Sequence, residues 1–351
     1  MSDPTLTIVV CTFNRAAKIG GVLGALRQQT ILDQIEIIVV NDGSVDDTAE
    51  QLRGVDWITV VTHERNRGLA AARTTGLERA RAAWVAFTDD DCLPAPEWAE
   101  QLCALAARHS DAFAVGGPVS AVRAGGLIND YLLAKPPLAP LELGLFEGAG
   151  FIHRLREYLR RSAAAPEDND SERAVASLPG ANMAVNKERC TQLGSWDEAF
   201  VFGGEEEELF RRAGEQGLPV IYGTGPRVDH VFDNTLTDLA RRSYLYGRGS
   251  ERLQAKHGGL PTLYPVPVLF LVAAALALVT RRAGWAVAAA AVPQWVFSVW
   301  PRQSWRRRRA APLVYPYLQT LQETASNVGW TVARLQRLRS GWRRSPGDVE
   351  P

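Results

Sequence analysis

The stretch Trp84-Val-Ala-Phe-Thr-Asp-Asp-Asp-Cys92 decides how the chain folds. Trp84 to Phe87 is a short apolar run of strand character, and it stops in three consecutive carboxylates, Asp89, Asp90 and Asp91. Adjacent negative charges repel, so such a cluster belongs at a helix N-terminus, in a solvated turn, or around a hard cation. The ordinary reading is an acidic turn, because loops and helix starts attract Asp for local reasons. Asp89 and Asp91 are two positions apart at a strand end. They can therefore face the same side and grip one divalent ion, directly or through water.

Working outward, the same grammar repeats. Leu6 to Cys11 is a β-branched strand followed by the polar loop Thr12 to Arg15, and a helix fits Ala16 to Gln28 with Ile19, Val22, Leu23 and Leu26 on one face. Ile35 to Val40 is a second strand ended by Asn41-Asp-Gly-Ser44, with a short helix over 46–53. Trp57 to Thr62 is a third, ended by Glu64 to Gly68, and 69–81 is helical. Strands alternating with helices predict an α/β fold with a mostly parallel, doubly wound sheet, covered on both faces and hence apolar throughout its strands. Ligands of such sheets bind beyond the carboxyl ends of the strands. Thr12 and Asn14, then Asp42, then Asn66 and Arg67, then Asp89 and Asp91 all fall on that rim. There is no GxxxxGK[ST], and Lys18-Ile-Gly-Gly does not make GxGxxG, so neither a phosphate loop nor a dinucleotide fingerprint is present. The rim offers carboxylates, through which a metal can hold a diphosphate.

The series Val9-Val-Cys-Thr-Phe-Asn-Arg15, Val39-Val-Asn-Asp-Gly-Ser44, Asn66-Arg-Gly-Leu-Ala-Ala-Ala-Arg73 and Thr88-Asp-Asp-Asp91 resembles the family 2 glycosyltransferases of the GT-A fold, a mixed doubly wound sheet, over residues 5 to about 235. The resemblance implies that a nucleotide-diphosphate sugar lies across the rim. Thr12 and Asn14 would sit against the nucleoside, Asp42 would accept a hydrogen bond from the base, and Arg73 would approach the nucleotide. Arg15, Asn66 and Asp90 are counted with these nucleotide-binding residues. Asp89 would meet the ribose or the water shell of the metal, and Asp91 would bind Mg²⁺ or Mn²⁺, with His230 as a further ligand near the diphosphate. A lone histidine has an ordinary structural explanation as well.

Further along, Gly203-Gly-Glu-Glu-Glu-Glu208 opens a helix. The helix dipole accounts for acids there, more readily for Glu207 and Glu208 than for Glu205 and Glu206, which two glycines bring close to any ligand. The family carries a Glu-Asp pair here whose second acid is the general base. In this chain the pair is Glu205-Glu206, so Glu206 is the expected base and Glu205 the alternative. Asn182, Trp196, Asp197 and Arg248 are expected on the acceptor or diphosphate side.

The tail differs in kind. Leu263 to Thr280 and Trp285 to Trp300 carry no charge, and at ~1.5 Å per residue the two runs reach ~27 and ~24 Å, short of a ~30 Å hydrocarbon core. Aromatics mark their ends, so a helical hairpin that spans the membrane or dips into it is expected. From Arg281 onward there are 12 Arg and three acids, a net of +9 against −9 for the first 280 residues. A basic tail on an acidic body fits a membrane surface. Leu321, Ala325, Val328, Val332 and Leu335 recur at helical spacing, as in an amphipathic helix suited to a membrane surface or a partner helix. Four scattered cysteines without a CxxC pair, and no signal-peptide pattern at the start, place the protein at the cytoplasmic face of the cell membrane.

The expected organisation is a catalytic domain over 1–258, an apolar helical hairpin over 259–310 and a basic amphipathic helix and tail over 311–351. The expected activity is inverting, metal-dependent transfer from a UDP- or GDP-sugar to a hydroxyl of a glycan, a lipid-linked saccharide or a cell-envelope polymer, with no nucleic acid as partner. Two rivals remain. A sugar-phosphate nucleotidyltransferase would show a glycine-rich basic loop after its first strand, which Thr12 to Arg15 lacks. A non-catalytic, membrane-tethered nucleotide-sugar binding protein would not need the acids Asp89, Asp91 and Glu206.

Overall fold

The computed structural model describes residues 3–142, 150–163, 171–200, 203–259 and 263–340. The polar stretch 164–170 and the tail beyond 340 lie outside these residues.

The first half runs β1 (Leu6–Thr12), α1 (Ala16–Leu26), β2 (Ile35–Asn41), α2 (Thr48–Leu52), β3 (Thr59–Thr62), α3 (Leu69–Arg79), β4 (Trp84–Asp89), β5 (Cys92–Pro94), α4 (Trp98–Arg108), β6 (Ala114–Gly116), β7 (Val119–Ala121), α5 (Leu127–Ala134) and α6 (Phe151–Ala163). There follow β8 (Arg173–Ala174), β9 (Met183–Asn186), α7 (Lys187–Gln192), α8 (Glu205–Glu215), β10 (Val220–Tyr222), β11 (Val228–His230) and α9 (Leu236–His257). The C-terminal helices are α10 (Pro265–Thr280), α11 (Ala283–Val296), α12 (Val299–Arg307) and α13 (Tyr315–Ser340).

One sheet has the order β3-β2-β1-β4-β9-β6-β10-β8. β3, β2, β1 and β4 are parallel, β9 enters antiparallel between β4 and β6, and β8 closes the edge antiparallel to β10. Side chains alternate across it as the pleat requires. Ile8 and Val10 of β1, with Ile37 and Val39 of β2, join one core with Ile19, Val22 and Leu26 of α1. Val9, Ile38, Val40, Val85 and Phe87 face the opposite core with Leu77 of α3 and Leu209 and Phe210 of α8. Two covered faces explain why these strands read as unbroken apolar runs.

The structure departs from the sequence reading in several places. Beyond the parallel half read above, β6 and β7 are separate short strands, and β7 joins β5 and β11 in a three-stranded sheet of its own. That small sheet carries His230 opposite Cys92, so it brings β11 against the acidic triplet. The weakly patterned region after Gly125 holds two helices, α5 and α6.

The C-terminal apolar runs fold as α10 and α11, which pack on each other and span only 16 and 14 residues. Arg281 in the left-handed conformation ends α10, and Pro293 interrupts α11. Among the described residues no helix is long and apolar enough to cross a membrane, so the spanning form of the expected hairpin is not found.

Helix α13 has a partner helix in α9, met through a face other than its apolar stripe. It packs along α9 through a seam of small residues: a methyl group at Gly247 would sit 2.0 Å from the Ser326 carbonyl oxygen, and one at Gly329 would sit 2.0 Å from that of Tyr244. Buried polar ties also hold α13. Arg337 of α13 donates to the buried Glu251 of α9 at 2.9 Å, and Tyr158 of α6 donates to Glu323 on another side of α13 at 2.8 Å. The stripe containing Val328 and Leu335 is on the half-exposed outer side. The reason is physical: the seam is built from glycines and hydrogen bonds, which hydrophobic periodicity does not register.

Candidate active site

The loops after β1, β2 and β3 are pinned to one another. Asn14 takes the left-handed conformation at φ 53°, its backbone N–H donates to Ser44 Oγ at 2.9 Å, and its Oδ1 accepts from the Val45 N–H at 2.9 Å. Asp42 accepts from the Arg67 N–H at 2.9 Å and the Gly68 N–H at 2.8 Å, and lies 2.6 Å from His63 Nδ1, whose Nε2 meets Thr75 Oγ1 at 3.0 Å. Asn66 also caps the Gly68 N–H. Asn14, Asp42 and Asn66, placed by sequence on the nucleotide side, are thus the pins that shape that rim. His63 was not singled out, although it follows β3 directly and strand ends were the guide. Thr12 is buried beneath the loops.

At the end of β4 each acid of the triplet has its own cation. Asp89 lies 3.7 Å from Arg73, Asp90 lies 3.6 Å from Arg15, and Asp91 lies 3.5 Å from Lys18. Burial pushes the Asp90 carboxyl up to about 7, helped by the Asp91 charge and opposed by Arg15. Partial burial lifts Asp89 to about 6, and Arg73 works against the rise. The second oxygen of Asp91 is 3.1 Å from His230 Nε2. The His230 ring stacks on Phe232 with centroids 3.9 Å apart, and Phe232 in turn lies under the Arg242 guanidinium at 4.2 Å. Burial drives His230 down to about 4, which keeps the imidazole neutral, the form that can donate a lone pair to a metal.

Asp89, Asp91, Cys92 and His230 bring donor atoms within 4.8 Å of one another. Two carboxylates and a neutral imidazole suit a hard to borderline divalent ion such as Mn²⁺. Cys92 is wholly buried, and burial raises its thiol well above the ordinary range, so it is the poorest donor of the four.

Arg73 was expected to approach the nucleotide. Its side chain is 2% exposed and forms a hub among acids. Besides Asp89 it meets Glu205 at 3.1 Å and Glu206 at 3.2 Å, so it joins the metal-side acids to the base-side acids. Glu205 is 2% exposed, and burial with Glu206 beside it holds its carboxyl well above the usual range despite Arg73. The Glu206 side chain is 20% exposed and is the reachable member of the pair. Gly180 is pressed onto both: a methyl group there would lie 2.0 Å from Glu206 Oε1 and 2.3 Å from Arg73 Nη2. Glu208 is fully buried among Arg212, Lys256 and His257 and belongs to the framework.

The residues expected on the acceptor or diphosphate side fare differently. Asn182 is wholly buried, accepting from Trp98 Nε1 at 2.8 Å and donating to the carbonyls of Pro118 and Pro226. Trp196 is core, packed edge-on against Phe87. These two hold the scaffold and do not line the acceptor side. Asp197 is paired with Lys256 at 2.6 Å, and Arg248 contacts Tyr244. Lys18 and Asp233, which meet at 3.3 Å beside Asp91, were not foreseen; the one sequence signal was that Lys18 lies a helical turn from Arg15.

A sequence model described as "Glycosyl transferase family 2" matches residues 7–163. A putative glycosyltransferase, EpsH, of Bacillus subtilis is 40% identical over 114 residues, which are 32% of this chain and 33% of that one. The glucosyl-dolichyl phosphate glucuronosyltransferase of Haloferax volcanii is 25% identical over 69% of this chain and 75% of its own length. The pre-mycofactocin glycosyltransferase of Mycobacterium tuberculosis is 26% identical over 73% of this chain and 49% of its own length. The chain thus spans a third to three quarters of these relatives. Among solved structures, the mannosyltransferase PcManGT from Pyrobaculum calidifontis, in complex with GDP-Man and Mn²⁺, aligns over 94% of this chain and 88% of its own, with TM-score 0.55 and 17% identity. That likeness concerns the fold, and with the mixed central sheet it fits GT-A. Residues 7–163 are thus similar to the family 2 glycosyltransferases, and the relatives support a glycosyltransferase.

Proposed function

We propose that the protein is an inverting, divalent-cation-dependent glycosyltransferase that moves a sugar from a UDP- or GDP-sugar to an acceptor hydroxyl, with a lipid-linked or cell-envelope glycan as acceptor. The observation that carries this reading is the hub at Arg73, which sets an accessible carboxylate, Glu206, beside the acids of the donor rim. Asp89, Asp91 and His230 would hold the cation, which offsets the diphosphate charge as it departs. Glu206 accepts the proton of the acceptor hydroxyl as its oxygen attacks the anomeric carbon. The bond to the diphosphate breaks on the opposite side, the diphosphate leaves with the electron pair, and no enzyme nucleophile is required. The Haloferax relative, whose name specifies a dolichyl phosphate-linked sugar, supports a lipid-linked acceptor.

A nucleotide diphosphate is expected to raise the melting temperature only with Mn²⁺ or Mg²⁺ present, and Asp91→Asn is expected to abolish that dependence. A shift of equal size in EDTA would refute the cation assignment.

The reading includes attachment to the cytoplasmic face of the cell membrane through the α10–α11 hairpin. Leu278 and Val279 at its tip are more than four-fifths exposed, next to Arg281 and Arg282. Apolar side chains beside cations are what an anionic lipid surface binds. Full-length protein is expected to float with phosphatidylglycerol vesicles, and Leu278→Asp with Val279→Asp to remain behind at unchanged melting temperature. Equal flotation of both would exclude the hairpin as anchor.

A further inference from the structure

The three-to-three pairing of the acidic triplet with cations has unequal members. Arg73 is fixed, since it is buried and held by Glu205 and Glu206 as well. Arg15 serves Asp90, which is not among the clustered metal donors. Lys18 stands on Asp91, the acid that also faces His230. Both Asp91 oxygens are therefore engaged, one by the imidazole at 3.1 Å and the other by the ammonium at 3.5 Å. Lys18 is also held only by long single contacts. Its side chain is 22% exposed, and its remaining partner is the exposed Asp233 at 3.3 Å, on the turn between β11 and α9. An ammonium on a flexible stem makes point-charge contacts and can leave without breaking a bidentate fork.

We propose that Lys18 is a displaceable counter-ion of the metal site: it occupies the charge position of the divalent cation at Asp91, ties α1 to Asp233, and must withdraw before the cation binds. The proposal rests on the reading of Asp91 as a cation ligand. Its consequence is coupling. In the absence of nucleotide the cation competes with a resident positive charge and binds weakly. When a diphosphate is present, the displaced ammonium has an anionic alternative, so the same cation binds more tightly. By linkage, the cation strengthens nucleotide binding by the same factor. Lys18 is a positioning residue in this scheme, not a catalytic one.

The test is a titration of full-length, nucleotide-free protein with Mn²⁺, following free Mn²⁺ by electron paramagnetic resonance, repeated with saturating UDP and with saturating GDP. Lys18→Met is expected to bind Mn²⁺ about tenfold more tightly than wild type without nucleotide, in the range of ordinary coupling between sites. The additional tightening produced by UDP or GDP is expected to shrink by a similar factor. Lys18→Arg, which keeps the charge, is expected to stay near wild type. Wild-type binding that Lys18→Met does not improve would overturn the proposal and leave the metal reading intact. So would Lys18→Arg binding as tightly as Lys18→Met. No Mn²⁺ binding by any of the three proteins, with or without nucleotide, would overturn the metal reading and the proposal together.

Discussion

Glu206→Gln is expected to bind donor nucleotide within about threefold of wild type and to transfer sugar at least ~100-fold more slowly, the usual loss when a general base is removed. The substitution keeps size and hydrogen bonding but cannot take up a proton. Donor binding survives because the diphosphate side is built from the loops after β1 to β4, while Glu206 stands on the first turn of α8. Glu205→Gln is the control. It sits in the same run of acids, but its carboxyl is buried and driven toward the neutral form. An amide replaces a neutral acid there with little change in charge, so a rate within about tenfold of wild type is expected, as for a group outside the proton transfer. Measuring kcat and nucleotide affinity for both variants decides the matter. A dead Glu205→Gln beside an active Glu206→Gln would exchange the roles, and two active variants would remove the base from this helix.

Arg73→Met is expected to be the most destabilising substitution in the site. Removing one partner of a buried ionic cluster costs about 3–5 kcal/mol, because the remaining charges stay desolvated and unpaired. Here Asp89 and Glu206 lose their common cation, and the buried Glu205 carboxyl loses a donor. The sign of the pH dependence follows. Without Arg73, Asp89 and Glu205 are held most readily as neutral groups, so their folded pKa values rise further above the unfolded ones. A raised folded pKa contributes stability at low pH and loses it as pH rises. The deficit of Arg73→Met relative to wild type is therefore expected to be smaller at pH 5 than at pH 8 in paired thermal melts. A deficit that is independent of pH would show that the arginine acts by packing alone.

How much of this was legible in sequence depends on the kind of signal. The parallel half of the sheet was readable because both faces are covered and each strand is a continuous apolar run ending in polar residues. β9 was not readable as an antiparallel insertion, since four residues after Pro179-Gly180 carry no direction. Asn182 and Trp196 were placed near the acceptor because they lie beside a recognisable block, yet their polar atoms and rings are committed to the core. Arg73 was found as a site residue but without its acidic neighbours: an arginine on a helix reads as surface, and only the tertiary structure shows three acids closing over it. Lys18 left almost no trace, because a single lysine in a first helical turn is commonplace.

The glycine seam between α9 and α13 has a mechanical meaning for catalysis. The opposite face of α9 carries Gly249, where a methyl group would lie 2.3 Å from the Gly203 carbonyl oxygen, at the turn that launches α8 and its Glu206. Three backbones are thus stacked with less than a methyl group of clearance between them. The thickness of that stack acts as a gauge block: it fixes the height at which the α8 terminus presents its acid, so an alteration at Gly329, distant in sequence and outside the donor rim, is transmitted to the reacting end as a displacement.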